Sequence, residues 1–173
     1  MAFPERRLRR LRRTDAIRRI VAETTLSADD LIAPLFIREG IDSPQEIISL
    51  PGVFQHTLES ALAEIEDLIK MGISAVILFG VPEHKDAEGS GAWDPEGIVQ
   101  VALREARERF GDSIVLIADL CVDEYTSHGH CGIVDGYGSV DNDATLELYR
   151  KIAVAQAQAG ADIIAPSLSL IHI

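Results

Sequence analysis

The chain has 173 residues, 47% hydrophobic and 25% charged, which is enough apolar material for one domain with a real core and argues against disorder or fibre. Its formal net charge of −12 disfavours general nucleic-acid binding. No apolar run approaches the ~20 residues that span a bilayer, and the first residues lack the apolar centre of a secretory signal, so a soluble cytoplasmic protein with Cys121 and Cys131 as reduced thiols is expected.

The charge is unevenly placed: Arg6, Arg7, Arg9, Arg10, Arg12, Arg13, Arg18 and Arg19 crowd the start, while the rest of the chain is strongly acidic. Such a run also reads as a nucleic-acid patch or a transit peptide. Against both, Glu5 and Asp15 interrupt it, serine enrichment is lacking, and an acidic body repels phosphate. Residues 1–30 are therefore expected to form an arm that meets acidic protein surface, on its own body or on a neighbouring subunit.

Four apolar runs follow as strands: Leu31 to Ile37, Ser74 to Phe79, Ser113 to Ala118 and Ala161 to Ala165. Their Ile, Val, Leu and Ala residues do not alternate with polar ones, as expected of parallel strands buried on both faces. Pro34 in the first run predicts a bulge or strand end.

Between the runs lie three helical segments. In the first, Leu58, Ala61, Leu62, Ile65, Leu68 and Ile69 share a face. The second opens with Asp94-Pro95-Glu96, read as an N-cap with proline at the first helical position, and continues through Ile98, Val101, Ala102 and Ala106. The third follows Asp141-Asn142-Asp143 and turns Leu146, Tyr149, Ile152, Ala153 and Ala157 to one side.

Each helix stops at a glycine, Gly72, Gly111 or Gly160, with a strand close behind. The order is β-α-β-α-β-α-β, with parallel strands joined by right-handed crossovers. This α/β pattern suits an open doubly wound sheet or half of an eight-stranded barrel. The dinucleotide form needs a glycine-rich turn after the first strand, and Arg38-Glu39-Gly40-Ile41-Asp42-Ser43 offers none. The barrel form is favoured, with only half of it present.

The long loops follow strands: 81–93 after the second and 119–141 after the third. On a barrel both open on the C-terminal face, where active sites lie. The second loop contains Asp119-Leu120-Cys121-Val122-Asp123-Glu124-Tyr125 and then Thr126-Ser127-His128-Gly129-His130-Cys131-Gly132. Two thiols, two imidazoles and several carboxylates make a ligand set for a divalent metal. Cys121 and Asp123 share a side of an extended segment, and Cys131 returns across a turn at Ser127-His128-Gly129. The spacing also admits loop polar groups satisfied by backbone, with incidental cysteines and Asp119 as a turn cap. If a metal binds, zinc is expected, because thiolates suit it, and magnesium, which prefers oxygen ligands, is the alternative.

The stretch Tyr125 to Gly132 resembles the metal-loop signature of the porphobilinogen synthase (5-aminolevulinate dehydratase) family, with Asp119 at the position of a preceding aspartate. Phe3-Pro4, Arg7-Leu8-Arg9-Arg10-Leu11-Arg12, Ile32-Ala33-Pro34-Leu35-Phe36, Gly89-Ser90-Gly91-Ala92-Trp93 and Ala165-Pro166-Ser167 match in order, from about Phe3 to Ser167. The resemblance implies a TIM (β/α)8 barrel, of which residues 31–167 supply about four βα units, and an arm that embraces a neighbour in a homo-octamer. It further implies condensation of two 5-aminolevulinate molecules to porphobilinogen, with loss of two waters, in haem and tetrapyrrole biosynthesis. Cys121, Asp123 and Cys131 then hold the metal, Asp119 contacts substrate near the reacting amine, and Ser167 lines the same pocket.

This sequence departs from the pattern in two places. Zinc-type members carry cysteine at all three ligand positions, whereas Asp123 occupies the middle one here. The family's two Schiff-base lysines lie beyond Ser167, and Lys70, Lys85 and Lys151 do not match them. Residues 168–173 leave the family pattern and read as a truncated or frame-shifted end. Two functions are therefore weighed: an inactive portion of a working dehydratase, or a non-catalytic half-barrel that binds metal or assists assembly.

Overall fold

The computed structural model describes residues 9–166, so Phe3-Pro4, Arg6, Arg7, Ser167 and the 168–173 tail lie outside the described residues. A short 3₁₀ turn at Arg10–Arg12 precedes α1 (Asp15–Ile20), whose first turn is closed by Thr14 Oγ1 accepting the Ile17 N–H. No residue from 9 to 31 is buried.

The four apolar runs become β1 (Ile32–Arg38), β4 (Ala75–Val81), β5 (Val115–Leu120) and β6 (Ile163–Pro166), and a small hairpin, β2 (Gln45–Glu46) and β3 (Phe54–His56), is added to them. The sheet order is β2-β3-β1-β4-β5-β6, parallel throughout except for the β2–β3 pair. Pro34 neither bulges nor ends its strand, since the register runs unbroken from Ile32 opposite Ala75 to Arg38 opposite Val81. On its other side β1 is covered by β3 only at Phe36 and Ile37, so Pro34 sits on a free edge, where a strand proline is tolerated.

From β1 through β4 and β5 to β6 the strand order never reverses, unlike a doubly wound sheet. The connecting helices, α2 (Leu58–Lys70), α3 (Ile98–Phe110) and α4 (Asn142–Gln158), form one layer in which α2 packs on α3 and α3 on α4. Alternation turns Leu35, Ile37, Val76, Leu78, Leu116 and Ala118 toward this layer, against Leu62, Ile65, Leu103 and Ala106. The other face carries the stacked Phe36 and Phe79 rings, 5.1 Å between centroids.

Two helices differ from expectation. In α3 the first residue is Ile98 and the cap is Gly97; Asp94 instead closes a turn, accepting the Glu96 N–H at 2.9 Å on its side chain and the Gly97 N–H at 2.9 Å on its carbonyl. A Cβ on Gly97 would meet the Gly91 carbonyl oxygen at 2.5 Å, so this approach of helix to loop requires glycine. α4 keeps its expected Asp141 cap, but Leu146 and Ala157 face outward and Thr145 and Gln156 are buried with Leu148, Tyr149 and Ile152.

Gly72, Gly111 and Gly160 stop the three helices at positive φ, as expected. After α4 the Ala161 N–H returns to the Gln156 carbonyl and the Gly160 N–H to that of Ala157, which aims the chain into β6.

Candidate metal centre

Both long loops leave the C-terminal ends of parallel strands and are tied together. The Asp86 N–H donates to the Tyr125 carbonyl at 3.3 Å, and the Ser127 N–H donates to the Asp86 carbonyl at 2.8 Å. The Asp86 carboxylate accepts the N–H groups of Glu88 and Ser90 and the Ser90 hydroxyl, which fixes the first loop where it touches the second. His128 Nε2 lies 3.1 Å from the Ala87 carbonyl oxygen.

Just past β5 the second loop folds into a tight turn, with the N–H groups of Tyr125 and Thr126 both donating to the Val122 carbonyl, at 2.9 and 2.8 Å. It then reverses over 127–130, where Gly129 has φ +71° and the Thr126 hydroxyl donates to the His130 carbonyl at 3.1 Å. Cys131 therefore returns to Cys121, as its spacing suggested, and one ligand atom from each of Cys121, Asp123 and Cys131 lies within 4.8 Å of the others. His128 and His130 stay outside this cluster. His128 instead joins the two loops.

Asp119, near the end of β5 and opposite Ala165, is half-buried on the sheet face away from the helices. Burial pushes its carboxyl up to about 6, with the nearby charge of Asp123 adding to the rise. Burial also lifts Glu124 to about 7, again with Asp123 beside it. The Cys121 thiol is pushed well above its ordinary range by burial and then by Asp123 and Cys131. For Asp123 burial acts upward, but the Glu124 carboxyl and the Cys121 thiol outweigh it and hold the group below the usual carboxylate value.

Asp123 Oδ1 and Glu124 Oε2 are buried without a hydrogen-bond partner among the described residues. A buried acceptor left in this state costs free energy, and a cation among two thiols and a carboxylate would remove the cost.

Several contributors were not legible as site residues. The Tyr149 hydroxyl donates to the Cys131 carbonyl at 3.0 Å, and Gln156 Nε2 donates to the Asp119 carbonyl at 2.6 Å. Their one sequence signal is polar residues recurring at helical spacing on a face that also carries Leu148 and Ile152. Of the lysines, Lys70 on α2 pairs with Glu66 and Asp67, and Lys151 on α4 lies over the Trp93 ring at 5.4 Å. Lys85 borders a cavity of about 270 Å³ with Glu39, His84 and Asp86.

Fold and loop together define an α/β protein that carries a thiol–carboxylate cluster of metal-binding type beyond the C-terminal end of a parallel strand. A delta-aminolevulinic acid dehydratase family model matches residues 5–170, and the chain belongs to that family. The delta-aminolevulinic acid dehydratase of Streptomyces coelicolor is 51% identical over 168 residues, covering 96% of this chain and 51% of that protein. That of Mycobacterium leprae is 50% identical over 167 residues, covering 95% and 51%. The crystal structure of delta-aminolevulinic acid dehydratase (porphobilinogen synthase) from Toxoplasma gondii, in complex with the reaction product porphobilinogen, matches with a TM-score of 0.88 at 34% identity, over 94% of this chain and 47% of that one. The chain spans about half the length of the curated relatives it matches. Among the described residues no helix is long and apolar enough to cross a membrane.

Proposed function

We propose that the chain is the N-terminal half of a cytoplasmic enzyme that condenses two 5-aminolevulinate molecules to porphobilinogen, releasing two waters, in tetrapyrrole biosynthesis. The observation that carries this reading is the approach of Cys121, Asp123 and Cys131 to within 4.8 Å at the end of β5, in a chain that belongs to the dehydratase family. Residues 31–167 are read as the first four βα units of a (β/α)8 barrel, supported by the non-reversing strand order and the single helical layer.

The donor set fits zinc better than magnesium: two sulfurs and one oxygen, with the orphaned Asp123 Oδ1 as a ready acceptor. Cys121, Asp123 and Cys131 would hold the ion, which supplies Lewis-acid polarisation of a bound substrate oxygen. Asp119 faces the side of the sheet opposite the helical layer and is assigned contact with substrate near the reacting amine, and Ser167, outside the described residues, is assigned to the same pocket by its match to the family pattern alone.

Residues 1–30 are assigned to subunit contact in a homo-octamer. In support, Leu11, Ile20 and Leu26 are exposed, and none of the described residues 9–30 of this arginine-rich segment is buried.

The test uses the whole protein: metal content, pyrrole formation from 5-aminolevulinate, and both again in Cys131→Ala. Zinc content and activity are expected to fall together. Wild-type protein that forms no pyrrole overturns the enzymatic reading, and a fully active Cys131→Ala protein in strong chelator overturns the metal role. The 173-residue chain alone is expected to be inactive, since Schiff-base formation needs a poised lysine. Borohydride trapping with 5-aminolevulinate should then leave no specific adduct on Lys70, Lys85 or Lys151.

A further inference from the structure

Thr145, Tyr149, Ile152 and Gln156 recur at helical spacing on the buried side of α4, and three of the four are polar. Each polar one spends its bond on the metal-site loop or the strand end that launches it. Gln156 Nε2 reaches the Asp119 carbonyl at 2.6 Å. The Tyr149 hydroxyl donates to the Cys131 carbonyl at 3.0 Å, and its oxygen lies 3.9 Å from Cys121 Sγ. Thr145 Oγ1 accepts the Ile133 N–H at 3.0 Å and donates to the Asp141 carbonyl at 2.6 Å. One helix face thus grips the outgoing arm of the loop at Asp119 and Cys121 and the returning arm at Cys131 and Ile133.

Among these groups only the Tyr149 hydroxyl touches both thiol-bearing residues. The Tyr149 ring is itself fixed, packed with Leu120, Val122, Leu148 and Ile152. A rigid aromatic stem that carries one donor between two ligands sets how far apart they stand. We propose that Tyr149 is a positioning residue of the metal site, holding Cys121 and Cys131 at ligating separation and so raising the affinity for zinc. The inference rests on reading the Cys121–Asp123–Cys131 cluster as a metal site. Outer groups that orient metal ligands are commonly worth about 10- to 100-fold in affinity. Deleting only the hydroxyl should cost an amount in that range, because the ring stays and the packing with it.

The test compares the whole protein with Tyr149→Phe, measuring zinc affinity by chelator competition and the thiolate charge-transfer absorption of the cobalt-loaded protein. The expected result is zinc affinity lower by about 10-fold or more and an altered cobalt spectrum, with the metal-free protein unfolding close to the wild-type temperature. Tyr137→Phe removes a hydroxyl from a fully exposed ring and should change neither reading. Wild-type affinity and spectrum in Tyr149→Phe overturn the proposal while the metal site stands. Equal zinc uptake by wild type and Cys131→Ala overturns the metal site and the proposal with it. A Tyr149→Phe protein that does not accumulate also overturns the proposal, since the hydroxyl then serves the fold rather than the metal.

Discussion

The two apolar clusters of this chain are built from different materials. Beneath α2 and α3 the sheet is covered by Leu, Ile, Val and Ala, whereas beneath α4 the cluster holds Tyr125 and Tyr149 with Trp93 at its margin. Besides the tyrosines, the buried polar side chains among the described residues are Gln100, Thr126, Thr145 and Gln156, and all of them bond to the backbone of the two long loops or the strand end below. The first cluster is a stability core: non-directional burial that any well-packed set of the right volume supplies. The second also aims backbone, and aiming needs directional bonds. Polar burial in this chain therefore tracks the candidate site rather than the fold.

If that division holds, substitutions should separate by what they change as well as by how much. The largest effect is expected at Leu103, fully buried on the inner side of α3: Leu103→Ala should cost about 2–5 kcal/mol in urea unfolding of the whole protein and leave zinc affinity at the wild-type value once refolded. A large change in metal affinity would merge the two clusters into one cooperative unit.

Gln156→Leu is the converse case. It keeps apolar volume but leaves the Asp119 carbonyl without its donor, at a cost of about 1–2 kcal/mol, and pyrrole formation should fall further than stability alone explains. Loss of stability with unchanged specific activity would return Gln156 to the general core.

Asp162 sharpens the comparison through pH. Its carboxylate accepts the Leu116 N–H at 2.8 Å and pairs with Arg107 at 2.6 Å, which ties β6 to β5 away from the loops. Partial burial pushes its pKa up, but the Leu116 N–H and the Arg107 guanidinium outweigh that and hold it below the usual value. The stabilisation is therefore complete above the unfolded value of about 3.9 and is lost as pH falls through the lower folded value. Asp162→Asn should cost about 1 kcal/mol at neutral pH, a figure kept small by solvent screening, and the two unfolding curves should converge as pH falls through the lowered folded value. Curves that stay parallel down to low pH would assign the cost to packing.

The smallest effect belongs to Leu146, expected inward from periodicity but exposed in the structure: Leu146→Gln should change stability by less than about 0.5 kcal/mol. A loss of several times that amount in the whole protein would mean that this side of α4 is covered there.

The sequence by itself determined the repeating βα order, the glycine stops at Gly72, Gly111 and Gly160, and the return of Cys131 to Cys121 and Asp123. These depend on short-range rules: hydrophobic period, the left-handed conformation open to glycine, and ligands crowded into one loop between Cys121 and Cys131. The β2–β3 hairpin was invisible because strands of two and three residues carry no readable period. Asp94-Pro95-Glu96 satisfies a capping rule locally, yet the helix starts later because Gly97 packs against the Gly91 carbonyl, a contact no local pattern encodes. The inward turn of Thr145 and Gln156, and the bond that the Tyr149 hydroxyl makes, were likewise decided only by tertiary structure. A polar residue on a helix prefers water unless folding brings it a partner, and their partners, the backbone groups of Ile133, Cys131 and Asp119, arrive on a different segment of the chain.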